Sequence, residues 1–224
     1  FMVSYFGYYY PVIMNVTYNG IYFIDILEES SENAYKAFFS QFEARKVQRI
    51  LVDADEQLIS ASSAMFPQAQ IAMTDECLLR YIKNAFCEII DVEGKHSGIP
   101  HRFDVLTRRK TYLLAGEKRR VHRALETRPR LRAAYNAYQE LLMRLDAPWT
   151  VDTVLQWIEQ LPEYLHDETT TTKELEPLQE FDIVKTILDL YKSLFESYQN
   201  MENKPTAHYA SAVTGIIDAV ADMP

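Results

Sequence analysis

The residues best placed to do chemistry close a short apolar run, Arg49-Ile-Leu-Val-Asp53-Ala-Asp55-Glu56. In an α/β fold, a side chain just past the carboxyl end of a strand faces the usual ligand crevice. Asp53 is therefore placed as a metal-binding acid, with Asp55 beside it as a second oxygen ligand. A helical pattern follows, then Phe66-Pro67-Gln-Ala69, a second apolar run and a second acidic pair, Asp75-Glu76. The competing account of Asp55, Glu56, Asp75 and Glu76 is structural, because acids in a helix first turn favour the macrodipole.

A second group has the opposite charge. Arg108-Arg109-Lys110 and Lys118-Arg119-Arg120, with Arg123, form a dense one-sided run suited to the phosphates of DNA. Binding through such contacts falls steeply with salt, because each one releases counterions. From Lys95 to Arg132 there are twelve Lys/Arg and three Asp/Glu, a balance of +9 inside a chain of net charge −9. That asymmetry points to an anion-binding face, while the acidic total argues against general affinity for nucleic acid. The alternative is a solvated helical face that offsets the acidic remainder.

Other chemistries find little support. His96, His101, His122, His166 and His208 lack metal-ligand spacing, and Cys77 and Cys87 form neither a disulfide framework nor a zinc pattern. A reducing cytoplasm is the expected compartment. No run approaches the roughly 20 apolar residues of a membrane span. Phe1-Met-Val-Ser-Tyr-Phe lacks the basic region of a signal peptide and begins almost inside a strand, as a fragment of a longer protein would. No glycine-rich phosphate loop is present. The tyrosines of Tyr8-Tyr9-Tyr10 alternate across a strand and suit packing better than base stacking.

The elements that must position these groups follow from periodicity. Val3–Phe6, Tyr9–Val16 and Ile21–Leu27 are rich in aromatic and β-branched residues and are predicted strands. Asn19-Gly20 between the last two is a hairpin signal. Ser31 caps a helix carrying Ala34, Phe38 and Phe42 on one face. Ile50–Asp53 reads as a buried strand, Glu56–Met65 as a helix stopped by Pro67, and Gln70–Met73 as the next strand. Thr74 then starts a helix bearing Leu78, Ile82, Ala85 and Ile89. After Asp91, with Gly94, Gly98 and Pro100, the pattern becomes a loop and then all helix. Helices are expected over Glu117–Glu126, from Pro129 to Leu145, and after Thr150. Asp167–Lys173 reads as an exposed loop. One long amphipathic helix then runs from Phe181 to Tyr198. Asn203-Lys-Pro205 breaks it before a last small-residue helix over Ala207–Val220.

The order β-β-β-α-β-α-β-α gives a mixed α/β sheet with helices on its faces, the order of the ribonuclease-H-like fold. The chain resembles the catalytic domain of DDE-type insertion-sequence transposases whose ribonuclease-H-like core is interrupted by a helical insertion. The similarity runs through Asp53, Phe66-Pro67-Gln-Ala69 and Asp75. It continues through Leu125-x-x-x-Pro129-x-Leu131-x-x-Ala134-Tyr135, Ala147-Pro148 and Trp157, and ends around Leu194-Phe195-Glu-Ser-Tyr198 and Thr206-Ala207.

The resemblance implies a core over residues 1–93, an all-helical insertion over 94–200, and a C-terminal helix over 201–224 that returns to the core. It also implies two divalent metals, Mg²⁺ or Mn²⁺, held by three acids to drive in-line phosphoryl displacement. Asp53 matches the second acid. The first strand, Met2-Val3-Ser4-Tyr5-Phe6, has no acid, and Ser4 takes that place. Around the third position the chain reads Thr206-Ala-His-Tyr-Ala210-Ser211, again without a carboxylate, and Cys77-Leu78 replaces the family's histidine. The expectation is a transposase-like, DNA-associated domain with a degenerate site, nucleoid-associated and able to form a homodimer. The alternatives are an active metal-dependent transposase represented by a fragment, and a non-enzymatic interaction module that uses the Phe181–Tyr198 stripe.

Overall fold

The computed structural model describes residues 2–5, 8–16, 22–27, 29–95, 105–161 and 178–202. Asn19-Gly20, the Asp167–Lys173 loop, His96, His101, His166 and everything from Asn203 onward, including Ala210 and Ser211, lie outside the described residues. Chain contacts divide the protein into two units. The first comprises Phe1–Thr74 with Ser193–Pro224, and the second Asp75–Lys192.

In the first unit, β1 (Met2–Tyr5), β2 (Tyr8–Val16) and β3 (Tyr22–Ile26) form an antiparallel sheet in the order β1-β2-β3, with Ser4 opposite Tyr9 and Val16 opposite Tyr22. Helix α1 (Glu32–Phe39) is capped by Ser31, whose hydroxyl accepts the Ala34 N–H at 3.2 Å. β4 (Arg49–Val52), α2 (Glu56–Met65) and β5 (Gln70–Met73) form a strand-helix-strand unit with β4 and β5 parallel, Val52 facing Met73 in the register. Helices α1 and α2 share a core of Tyr35, Phe38, Phe39, Ala61 and Phe66. Phe39 and Phe66 meet edge to face with centroids 5.1 Å apart.

β4 is less buried than its apolar sequence predicts: Val52 is buried, but Leu51 is 39% exposed and Arg49 is exposed. Among the described residues β5 alone pairs with β4, and the two strands differ in their cover: Tyr198 and Met201 cluster on Ala72 of β5, and no such cluster includes Leu51. Helix α8 (Lys192–Gln199) closes this unit from the far end of the sequence. Tyr198 and Met201 pack on Ala72 of β5, and Gln70 Nε2 donates to the Ser197 carbonyl at 3.1 Å.

The second unit is helical. Helix α3 (Asp75–Lys95) extends past Asp91, where the sequence suggests a loop, and passes through Gly94. Its buried positions Leu78, Ile82, Phe86 and Ile89 face α5 (Pro129–Arg144) and α7 (Asp182–Leu190). Phe86 stacks on Tyr138 at 4.5 Å with an interplanar angle of 13°. Pro129 occupies the first turn of α5, where its missing N–H costs nothing. Helix α4 (Ala115–Glu126) lies on α5 through Val121 and Leu125. Thr150 caps α6 (Val151–Glu159), accepting the Thr153 N–H at 3.2 Å.

The predicted helix over Phe181–Tyr198 is two helices, α7 and α8, broken at Tyr191. The break falls beside the passage between the two units at Lys192/Ser193, so the two halves of the stripe serve different cores. Phe181, Val184, Leu188, Phe195 and Tyr198 are all buried. The stripe is interior packing, which removes the surface that a partner-binding reading of it requires. Among the described residues no helix is long and apolar enough to cross a membrane.

Candidate nucleic-acid interface and acid site

Asp53 follows the last residue of β4 and is half-buried. Its Oδ1 accepts the Ala54 N–H at 2.9 Å. Asp55, two residues on, is the N-cap of α2. Its Oδ1 accepts the N–H groups of Gln57 (2.9 Å) and Leu58 (3.1 Å), and its Oδ2 accepts the hydroxyls of Tyr35 (2.6 Å) and Ser30 (2.7 Å). Burial pushes the Asp55 carboxyl up, but the Tyr35 and Ser30 hydroxyls and the two backbone amides outweigh it and leave the carboxyl below its ordinary value. Burial, followed by the bond to Asp55, pushes the Tyr35 phenol up to about 12. The sequence gives no sign of Tyr35 or Ser30 in this role, because both reach Asp55 from 20 and 25 residues away.

A Mg²⁺-type pair needs several free carboxylate oxygens in near-octahedral array. The acids at the end of β4 do not fit that demand, since both Asp55 oxygens are already engaged twice. Among the described residues no three His, Cys, Asp or Glu side chains form a group able to hold a metal. Ser4 lies on β1, opposite Tyr9.

The basic residues fall into two sets. Those on the segment before α4 are held by the protein. Arg108 pairs with Glu117 at 2.9 Å. Arg109 donates to the Leu142 carbonyl at 3.0 Å and pairs with Asp146. Gln139 of α5 accepts the Lys110 N–H at 2.7 Å and donates to the Arg108 carbonyl at 2.8 Å. The Lys110 side chain itself is exposed.

Those on α4 are different. Lys118, Arg119, Arg120 and Arg123 are all exposed, and among the described residues no carboxylate pairs with them. At 100° per residue, Arg119 and Arg123 fall on the face opposite the buried Val121 and Leu125. Lys118 lies in the first turn of α4, where the dipole favours anions. Arg119 and Arg123 are also a like-charge i,i+4 pair, which destabilises a helix. Glu117 is the one acid in that first turn, and it is already engaged by Arg108.

Not every arginine in the basic stretch belongs to a surface. Arg130 is 9% exposed. Its guanidinium donates to both Glu180 oxygens at 2.7 and 2.8 Å and lies 3.7 Å from Glu93. Of the histidines, His122 on α4 is exposed. Cys77 and Cys87 are free, and burial pushes the Cys87 thiol up.

A mixed α/β unit with an acid at a strand end, joined to a helical unit with exposed cations, suits a protein that works on nucleic acid. The sequence model of a DDE-type transposase family, described as Transposase, matches residues 6–203. The match covers most of the chain, so the protein belongs to that family. Membership carries with it a role related to transposition, and the family in general binds DNA and uses divalent metal ions. No curated protein and no solved structure matches the chain.

Proposed function

We propose that this chain is a transposase domain that engages DNA through the basic surface of α4 and whose acid site is degenerate and catalytically impaired. The observation that carries the DNA reading is the set of four exposed cations on α4, Lys118, Arg119, Arg120 and Arg123, kept without carboxylate partners among the described residues, with Arg119 and Arg123 a like-charge i,i+4 pair. An approaching phosphate relieves that repulsion. Lys110, exposed beside the ion-paired Arg108 and Arg109, extends the same positive field.

Impairment is supported by the residues at the family's acid positions: Ser4 in the first strand, and Ala210 or Ser211 at the third position, leaving Asp53 as the remaining acid. A residual metal interaction falls to Asp53, because Asp55 would have to surrender its cap to join it. The proposed fold is a ribonuclease-H-like core, residues 1–93 with 201–224, interrupted by a helical insertion over 94–200. The proposed setting is nucleoid-associated, with a homodimer as the proposed assembly.

Two measurements test this reading. Fluorescence anisotropy with DNA across a salt series is expected to show steep weakening, and the slope to collapse when Lys118, Arg119, Arg120 and Arg123 are changed to Glu. Absence of binding at low salt would overturn the DNA role. A nicking and strand-transfer assay with Mg²⁺ or Mn²⁺ is expected to give no product. Product that disappears in Asp53→Asn would make the chain an active enzyme.

A further inference from the structure

The segment between the pinned arginines and α4 alternates sharply in exposure. Leu113 is 5% exposed and anchors the turn, while Tyr112 and Leu114 on either side are 77% and 71% exposed. Large apolar groups this open are unusual on a segment that is otherwise tightly held. The 3-10 turn Lys110–Tyr112 is clamped from α5 by Gln139, and the backbone just before it by Arg109 on the Leu142 carbonyl. Leu114 is the residue preceding α4, a position where Leu is among the poorest choices and Ser, Thr, Asp or Asn is favoured. Glu117 has to reach back and accept the Leu114 N–H at 2.9 Å to satisfy it.

The surroundings of this exposed pair are cationic. Between Val105 and Glu126 there are seven Lys/Arg and two Glu. Lys110 belongs to the same turn as Tyr112, and Lys118 closes the first α4 hydrogen bond onto the Leu114 carbonyl at 2.9 Å. An exposed aromatic ring on a backbone clamped by Gln139, among lysines and arginines, combines the two parts of a single-strand platform: charges that follow a phosphate backbone and a π-face that accepts any base.

We infer that Tyr112, flanked by Leu114, Lys110 and Lys118, is a binding site for an unpaired nucleobase of a DNA strand. This rests on the DNA-binding reading of the α4 surface and adds a preference for melted or single-stranded DNA. Tyr112 stacks on the base, Leu114 fills the space beside it, and the two lysines hold the adjoining phosphates.

The test compares a short single strand carrying 2-aminopurine with the matching duplex, at one low salt concentration, using the full chain. Binding of the single strand is expected to change the 2-aminopurine fluorescence through stacking. Tyr112→Ala is expected to abolish that change and to weaken single-strand binding about ten-fold, the size of one lost stack. Duplex affinity is expected to stay within about two-fold, and Tyr112→Trp to restore both signals. Equal single-strand affinity in Tyr112→Ala and the parent would overturn the base site and leave the DNA reading intact. Failure of both DNAs to bind would overturn the base site and the DNA reading together. A self-associated parent that becomes monomeric in Tyr112→Ala would assign the patch to a second copy of the chain and overturn the base site.

Discussion

The Tyr35 hydroxyl donates to Asp55 Oδ2 at 2.6 Å and so ties the middle of α1 to the first turn of α2. The same carboxylate caps the helix that follows β4, which makes it a strut for the segment carrying Asp53. Changing Asp55 to Ala removes the cap and its two hydroxyl partners. The expected loss is about 1–2 kcal/mol from the cap alone, with a further loss from the buried phenol. Urea unfolding of Asp55→Ala against the parent measures it, and an unchanged midpoint would refute the strut.

The same group sets a pH dependence. Its folded carboxyl lies below the ordinary value, with the Tyr35 and Ser30 hydroxyls and backbone amides outweighing burial. Its contribution is therefore present above the unfolded carboxylate value near ~3.9 and is lost as pH falls through the folded one. Asp55→Asn is expected to flatten the acid limb of a stability-against-pH curve and to leave the neutral region parallel to the parent.

Tyr35 acts at the other end of the scale. Burial and the Asp55 bond raise its phenol to about 12. Its contribution is complete below the unfolded value near ~10 and is lost as pH rises through about 12. Tyr35→Phe is expected to lower stability at neutral pH by about 0.5–1.5 kcal/mol, one net hydrogen bond. It is also expected to make the decline between those two values shallower, as read by circular dichroism.

Arg109 and Arg119 belong to the same basic stretch and predict opposite outcomes. Arg109 holds the Leu142 carbonyl and Asp146, so Arg109→Ala is expected to lower the melting temperature. Arg119 is exposed on the outer face of α4 in a like-charge pair with Arg123, so Arg119→Ala is expected not to lower the melting temperature and to raise it slightly. It is expected to reduce the salt slope of DNA binding by about 0.9, the share of one phosphate contact. A reversal of the two results would undo the division into held and offered cations.

Arg130 predicts a larger effect. Buried between Glu180 and Glu93, it links α5 to α3 and to the turn before α7. Arg130→Ala strands two carboxylates, and breaking a buried pair from one side costs about 3–5 kcal/mol. Thermal unfolding of Arg130→Ala is expected to show that loss, and Arg130→Ala with Glu180→Gln to recover part of it.

Local physics made much of this legible from sequence. Ser31 and Thr150 are caps because their side chains serve backbone amides three residues on, and α2 and β5 begin and end where Glu56, Met65, Gln70 and Met73 suggest. The errors lie where distant contacts decide. The break at Tyr191 has neither Gly nor Pro to announce it and falls where the chain passes between units. Gly94 stays helical despite its low propensity. The acid at Asp53 could be located by its place after an apolar run, but the commitment of Asp55 to Tyr35 could not. Nor could a count of charges separate Arg109, held by Asp146, or Arg130, held by Glu180, from the open cations of α4, because those partners lie 37 and 50 residues away.

The split of the first unit across the chain has a consequence for synthesis. Ala72 of β5 is covered by Tyr198 and Met201, which leave the ribosome about 120 residues after Thr74. At the ~5–20 residues per second of translation, β4 and β5 wait roughly 6–24 s for their cover. The helical unit is continuous in sequence and reaches its last residue, Lys192, before the older unit is complete. A nascent chain exposed only as far as Lys192 would therefore hold a complete helical unit while Ala72 of the first unit still lacks Tyr198 and Met201 and stays open to whatever binds apolar surface.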